Sequence, residues 1–93
     1  MSTYLKVRWK HDYPVEPVLL LSELDADRYE VRKVEVFADG TMGYASEESN
    51  AHGTQLGEVP VPMEGEISAD PQFAIEAVTA EEFERLWEAA LAP

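Results

Sequence analysis

The fold of this chain is decided by residues 29–45, YEVRKVEVFADGTMGYA. Two runs rich in β-branched and aromatic residues flank Asp39-Gly40. This dipeptide is a strong signal for a type I′ hairpin turn, because both central residues of that turn need positive φ. If these two residues form the loop, Phe37 pairs with Met42. The segment therefore predicts an antiparallel hairpin with strands at 29–37 and 41–45.

The first strand of this hairpin has apolar residues on both of its faces. Its odd-numbered apolar residues are Tyr29, Val31 and Phe37, and its even-numbered ones are Val34 and Val36. A β-bulge near Arg32-Lys33 would reset the register, and we favour this interpretation. Without a bulge, the hairpin would present an apolar contact face made of Tyr29, Val31, Phe37, Met42 and Tyr44.

Two further strands precede the hairpin. Residues 3–10 alternate between apolar and basic side chains, as a half-buried strand does. Two prolines interrupt residues 11–17, which we interpret as a loop. The apolar run at 18–21 then begins a central strand, and residues 25–28 form a turn.

A C-terminal helix is predicted over residues 80–91. Thr79 and Glu82 have the spacing of a capping box, and apolar residues repeat behind them at helical spacing. The preceding residues 46–72 predict a long loop, with a short edge strand at 58–61 and a helical turn at 63–68. Residues 72–78 are a candidate fifth strand.

Together these elements predict an α+β fold, an antiparallel sheet of four to five strands with a C-terminal α-helix packed on one face. We expect one domain over residues 1–93, a length that supports a core without disulfides or metals. The predicted core lies under the helix and contains Leu5, Val7, Trp9, Leu20, Val34, Val36, Phe83, Leu86 and Trp87. We expect the loop at 46–72 to cover the other face, which favours a monomer over a homodimer.

The net charge of −12 narrows the choice of partner. Residues 34–93 contain one base and thirteen acids and therefore account for the whole imbalance. Such a surface repels nucleic acid and anionic membranes and attracts a basic protein. The absence of cysteine excludes thiolate chemistry, and no apolar run approaches the ~20 residues of a membrane span. We expect a cytoplasmic protein with no cofactor.

The candidate binding residues are six polar side chains, His11, Asp12, Tyr44, Glu47, Glu48 and His52. A histidine beside acids is typical of a general base or a metal ligand. However, the spacing matches no known metal or nucleophile motif, so we expect neither a metal nor catalysis. The basic row of Lys6, Arg8 and Lys10 is expected to be neutralised across strands by Glu30 or Glu35.

One resemblance extends over nearly the whole chain. It is carried by YLKVRW at 4–9, SELD at 22–25, RYEVRKVEVF at 28–37, DG at 39–40, GYA at 43–45 and the helix start at Thr79. In these motifs the chain resembles a family of short acidic bacterial proteins classed as a domain of unknown function. The resemblance implies a bacterial origin and brings no activity with it.

Two functions remain open from the sequence. The first is a non-catalytic protein-interaction module, in its sharpest form an immunity or inhibitor protein that neutralises a basic partner. The alternative is a small enzyme or ligand-binding domain with a pocket between the sheet and loop 46–72. That pocket would be lined by His11, Asp12, Tyr44 and His52. Catalysis is not expected, so the non-catalytic functions are favoured over an enzyme.

Overall fold

A computed structural model describes residues 2–92 and contains one six-stranded antiparallel sheet. In chain order the elements are β1 (Thr3–Trp9), β2 (Pro17–Leu24), β3 (Glu30–Phe37), β4 (Met42–Ser46), β5 (Asn50–Ala51), α1 (Glu64–Ser68), β6 (Phe73–Glu76) and α2 (Ala80–Leu91). The strand order is β5-β4-β3-β2-β1-β6. The antiparallel sheet and the C-terminal helix are confirmed, but the predicted number of strands was too low. The two-residue β5 was missed, and residues 58–61 form no strand.

Helix α2 has the predicted bounds. The Thr79 hydroxyl accepts a hydrogen bond from Glu82 N at 3.0 Å and so caps the first turn. The Glu82 carboxylate accepts from Lys6 Nζ at 2.9 Å, which ties the helix to β1. Phe83 is fully buried at the centre of the helix–sheet contact. No helix within residues 2–92 has the length and apolar character needed to cross a bilayer.

The hairpin register differs by one residue from the prediction. Val36, not Phe37, is opposite Met42, and Val34 is opposite Tyr44. The loop contains three residues, since Phe37 N donates to Thr41 O at 2.8 Å. Gly40 alone in this turn has positive φ, at 88°. This is a type I turn closed by a glycine bulge rather than a type I′ turn. The shift places Met42 and Tyr44 on the opposite face of the sheet from the one predicted.

A β-bulge does interrupt β3, as favoured from the sequence. Arg32 is opposite Glu23 and Glu30 is opposite Leu24, so Val31 has no partner on β2. The bulge thus lies one residue before the predicted position. It leaves Val34 and Val36 on the face that α2 covers.

Both faces of the sheet carry apolar clusters. On the helix face, which α2 covers, Leu21, Val34, Phe83 and Ala90 are buried. On the loop face, which residues 54–73 cover, Leu5, Val7 and Leu24 are buried against Val61, Ile67, Phe73 and Ile75.

The predicted single core was therefore wrong in placing Leu5, Val7, Trp9 and Leu20 under the helix. Tyr4 from the other side of β1 contacts Phe83 instead, with ring centroids 5.3 Å apart. Alternation along β1 separates two faces but does not say which one the helix covers.

Candidate functional site

A pocket of about 490 Å³ lies on the loop face, between the sheet and residues 61–73. Its floor is apolar and comes from the central strands through Leu5, Val7 and Leu20. Its roof is formed by Val61 and Ile67, and Phe73 on β6 closes one end. The volume lies within the range of small-molecule binding sites in proteins.

The roof of the pocket is fixed by Arg28. Its guanidinium donates to Val61 O at 2.9 Å and to Pro62 O and Glu64 at 2.8 Å, and its own carbonyl accepts from Val61 N. Arg28 has a φ of 68°, which is strained for a residue with a side chain. These hydrogen bonds offset that strain and hold the roof at a defined distance from the sheet.

The opposite end of the pocket is polar. Glu30, with 6% of its side chain exposed, accepts from Ser22 Oγ at 2.8 Å and from Gly57 N at 2.7 Å. Lys33 Nζ lies 3.5 Å from Glu30 Oε1 and 4.0 Å from Glu35 Oε2. Ser22, Glu30 and Lys33 all line the pocket. An ammonium group and a carboxylate thus stand at the end of an apolar cavity.

Gly57 belongs to a loop whose first residues pack tightly on the sheet and support this polar end. Thr54 is buried and donates to Glu35 Oε1 at 2.8 Å. Its hydroxyl lies over Gly43, where a Cβ atom would come within 2.1 Å of Thr54 Oγ1. Glycine at this position in β4 therefore allows the loop to pack directly on the sheet.

The helix face is closed by a separate ion-pair cluster. Arg32 donates to Glu84 at 2.5 and 2.9 Å and to Glu23 at 2.5 Å, and its guanidinium lies over the rings of Phe83 and Trp87. The hydrogen bond from Arg32 lowers the pKa of Glu84 below its ordinary value, although desolvation opposes the effect. This cluster fixes α2 and does not reach the pocket.

None of the six predicted binding residues lines the pocket. His11 has a structural contact, because its Nδ1 accepts from Tyr13 N at 2.9 Å and its Nε2 therefore donates to Pro17 O at 2.7 Å. Asp12 beside it is exposed. His52 is exposed, has a φ of 57° and borders a shallow depression with Phe37.

The other predicted residues lie nearer the helix. Tyr44 packs edge-on against Trp87 at 5.5 Å. Glu47 and Glu48 border a second depression with Trp87 and Leu91. The structure therefore does not bring the two histidines together with Tyr44. Within residues 2–92 no three His, Asp or Glu side chains are arranged to hold a metal ion.

The proposed apolar contact face is divided between the two sides of the molecule. Met42 packs into the cluster under α2, whereas Phe37 borders the depression beside His52. Tyr29 and Val31 are 42% and 36% exposed. The one-residue register shift accounts for this separation.

Lys33, Ser22 and Glu30 were not predicted as pocket residues. Glu30 and Glu35 were expected to neutralise the basic row of β1, but Lys6 pairs with Glu76 and Glu82, and Arg8 pairs with Glu76. One signal was present in the pattern. Lys33 and Glu35 alternate with Val34 and Val36, which places both charges on the face opposite the helix.

Fold and site define a small α+β domain with an open, amphipathic groove between an antiparallel sheet and its covering loop. The chain belongs to the family described as Domain of unknown function (DUF6881), which matches residues 3–92. The family resemblance expected from the sequence is thereby confirmed. No curated protein and no solved structure was found to match the chain.

Proposed function

We propose that this chain is a non-catalytic ligand-binding domain, and that the loop-face pocket is its binding site. The observation that carries the proposal is the combination of an apolar floor with three convergent polar side chains on the central strands, Ser22, Glu30 and Lys33. Apolar walls supply affinity by removing hydrocarbon from water, and the polar groups orient the ligand. This is the second of the two functions open from the sequence, with different lining residues.

The proposal is tested by filling the pocket. The substitution Leu20→Trp introduces a large side chain into the floor, and Val15→Trp is the matched control because Val15 is 78% exposed and lies outside the pocket. The probe is butylbenzene, and its binding is followed by NMR shifts of the methyl groups of Leu5, Val7 and Ile67. We expect Leu20→Trp to weaken binding at least about tenfold, which corresponds to ~1.4 kcal/mol. We expect Val15→Trp to leave it unchanged.

A second filling variant protects this test against misfolding. Ile67→Trp acts from the roof rather than from a central strand, and far-ultraviolet circular dichroism verifies the fold of each variant. If both folded variants bind butylbenzene as the wild type does, the pocket is not the binding site.

The second candidate function is binding of a basic protein, in the form of an immunity or inhibitor protein. It is supported by the ion pairing of the Lys and Arg side chains within residues 2–92. Five of the seven Lys and Arg residues form ion pairs, namely Lys6, Arg8, Arg28, Arg32 and Lys33. The many exposed acidic side chains therefore give the surface a negative potential, which favours rapid association with a positively charged protein surface.

This candidate predicts a defined response to charge reversal. A basic protein encoded beside this chain in its genome is purified and tested for binding at low and physiological salt. Reversal of two exposed acids, Glu47→Lys with Glu48→Lys, is expected to slow association and reduce its salt dependence. If no basic partner is retained at low salt, the candidate is rejected.

We also propose that the domain is a monomer. The loop face, which would otherwise need a second copy to cover it, is packed against residues 54–73. Sedimentation or light scattering at micromolar concentration tests this proposal, and a mass twice that of the chain contradicts it.

A further inference from the structure

We infer that the ligand of the loop-face pocket carries a neutral hydrogen-bond acceptor, such as a ketone, ester or amide carbonyl, that binds the Lys33 ammonium group. This inference rests on the proposed function and identifies the chemical class of the ligand. It follows from the unused hydrogen-bond donors of Lys33, from the charges around Lys33 and from the way the pocket extends across the strands of the sheet.

The Lys33 ammonium has unused hydrogen-bond donors. It can donate three hydrogen bonds. Within residues 2–92 its contacts are the two ion pairs at 3.5 and 4.0 Å, and it donates no hydrogen bond. Its side chain is 18% exposed and lines the pocket, and none of its polar atoms is buried without a partner. An acceptor oxygen placed in the pocket would take the place of water at this ammonium group.

The nearby carboxylates are already engaged by other donors. Both oxygens of Glu30 accept, one from Ser22 and the other from Gly57 N. Oε1 of Glu35 accepts from Thr54. These bonds hold the carboxylates in place, where they form ion pairs with Lys33 at 3.5 and 4.0 Å and leave it donors for a ligand. The ammonium is thereby available to a ligand.

The same charges select against an anionic ligand. Glu30 and Glu35 place two negative charges beside the single positive charge of Lys33. Glu66 and Asp70 add two more around the pocket. A carboxylate placed at Lys33 would be repelled by Glu30 and Glu35, whereas a neutral carbonyl accepts the hydrogen bond without that penalty. A ligand ammonium could not bind Lys33, since neither group has an acceptor.

The strand order indicates how the long axis of the ligand lies in the pocket. Lys33 lies on β3 and Phe73 on β6, which are three strands apart in the sheet. At about 4.8 Å per strand, the two ends of the pocket are roughly 14 Å apart. The apolar part of the ligand therefore extends from Lys33 across Val7 towards Phe73 and Ile67. The predicted ligand is an elongated, uncharged molecule with a carbonyl group at one end.

The inference is tested with three probes of nearly equal shape. Benzylacetone carries a ketone, butylbenzene lacks the oxygen, and hydrocinnamate carries a carboxylate in place of the ketone. Dissociation constants are measured by NMR titration of the wild type, of Lys33→Met and of Lys10→Met. Lys10 is the matched control because it is exposed and lies outside the pocket.

We expect the wild type to bind benzylacetone at least about tenfold more tightly than butylbenzene, a factor close to the lower limit for hydrogen bonds to charged groups. Hydrocinnamate should bind more weakly than benzylacetone. Lys33→Met should bind benzylacetone and butylbenzene with equal affinity, and its affinity for butylbenzene should equal that of the wild type. Lys10→Met should change neither dissociation constant. If Lys33→Met does not fold, the ¹⁵Nζ resonance of Lys33 in the wild type replaces it, and it should shift with benzylacetone and not with butylbenzene.

The outcomes separate this inference from the proposed function. Equal affinity for benzylacetone and butylbenzene, with both blocked by Leu20→Trp, would overturn the inference and leave the pocket as a binding site. Tighter binding of hydrocinnamate, or of phenylpropylamine as a cationic probe, would also overturn it. If none of the probes binds, both the inference and the proposed function are rejected.

Discussion

At the residue scale, Gly43 is the position where the loop is packed most closely on the sheet. A Cβ atom there would lie 2.1 Å from Thr54 Oγ1 and 3.1 Å from Ala51 O. The clash is with the hydroxyl of a buried, hydrogen-bonded threonine, and the backbone oxygen of Ala51 would also have to shift slightly. Gly43 therefore determines how residues 51–57 reach Glu35 and the polar end of the pocket.

The substitution Gly43→Ala should destabilise the protein by about 1–3 kcal/mol, as overpacking of a closed site does. The matched control is Gly65→Ala in α1, where an added Cβ would have no neighbour within 4 Å. There alanine should be neutral or stabilising by up to ~1 kcal/mol, because it favours the helix. Urea denaturation of both variants measures the difference. Equal effects at the two sites would show that the loop does not pack on Gly43.

Turn chemistry shows how far residue-level prediction extends. Asp39-Gly40 correctly indicates a hairpin, and Gly40 has the positive φ expected of it. The dipeptide does not distinguish a two-residue loop from a three-residue loop, because both use a glycine in the left-handed region. One residue of loop length inverted the faces of β4 and misplaced Tyr44 as a candidate pocket residue.

At the element scale, the contact between α2 and the sheet depends on Arg32. The hydrogen bond from Arg32 lowers the pKa of Glu84 in the folded protein. A carboxylate with a lowered pKa in the folded state stabilises the protein above its ordinary pKa, and this contribution disappears as the pH falls through the lowered value. The helix contact should therefore weaken on acidification below about pH 4.5.

The substitution Glu84→Gln should remove this acid dependence. We expect the variant to be less stable than the wild type near pH 7, and the difference to shrink as the pH falls below the ordinary carboxylate range. The control is Glu88→Gln, since Glu88 is exposed and forms no ion pair within residues 2–92. Thermal denaturation between neutral and acidic pH provides the comparison. A constant difference at every pH would contradict this account.

Elements with strong local signals were predicted well. The bounds of α2 follow from a capping residue and a helical apolar stripe, both encoded within thirteen residues. The two-residue β5 has no such signal, because its pairing with β4 is created by the turn at 46–49. Short edge strands of this kind are determined by the tertiary fold rather than by propensity.

At the scale of the whole molecule, the net charge of −12 dominates electrostatics. Ion pairs neutralise most of the cations, so the remaining acids repel each other over the surface. Added salt screens this repulsion. We expect the melting temperature to rise between low and physiological ionic strength, as measured by scanning calorimetry. A flat or falling melting temperature would show that the ion pairs outweigh the repulsion.

The arrangement of the two faces was the main limit of prediction from sequence. The alternating pattern of β1 and the apolar run of β2 both fit a sheet covered on two sides, and neither specifies which face receives α2. That choice depends on long-range contacts, such as the packing of Phe83 on Tyr4 and the ion pairs of Lys6 with Glu82 and Arg32 with Glu84. The pocket could not be located without knowing which face α2 covers, because Leu5 and Val7 were predicted to lie under the helix.

We propose that the loop-face pocket binds an uncharged ligand through Lys33. Intermolecular nuclear Overhauser effects between benzylacetone and the wild-type protein test this proposal. We predict contacts from the phenyl ring to the methyl groups of Val7 and Ile67, and from the ketone methyl group to the side chain of Lys33. Contacts confined to the helix face, or to the depression beside His52, would contradict it.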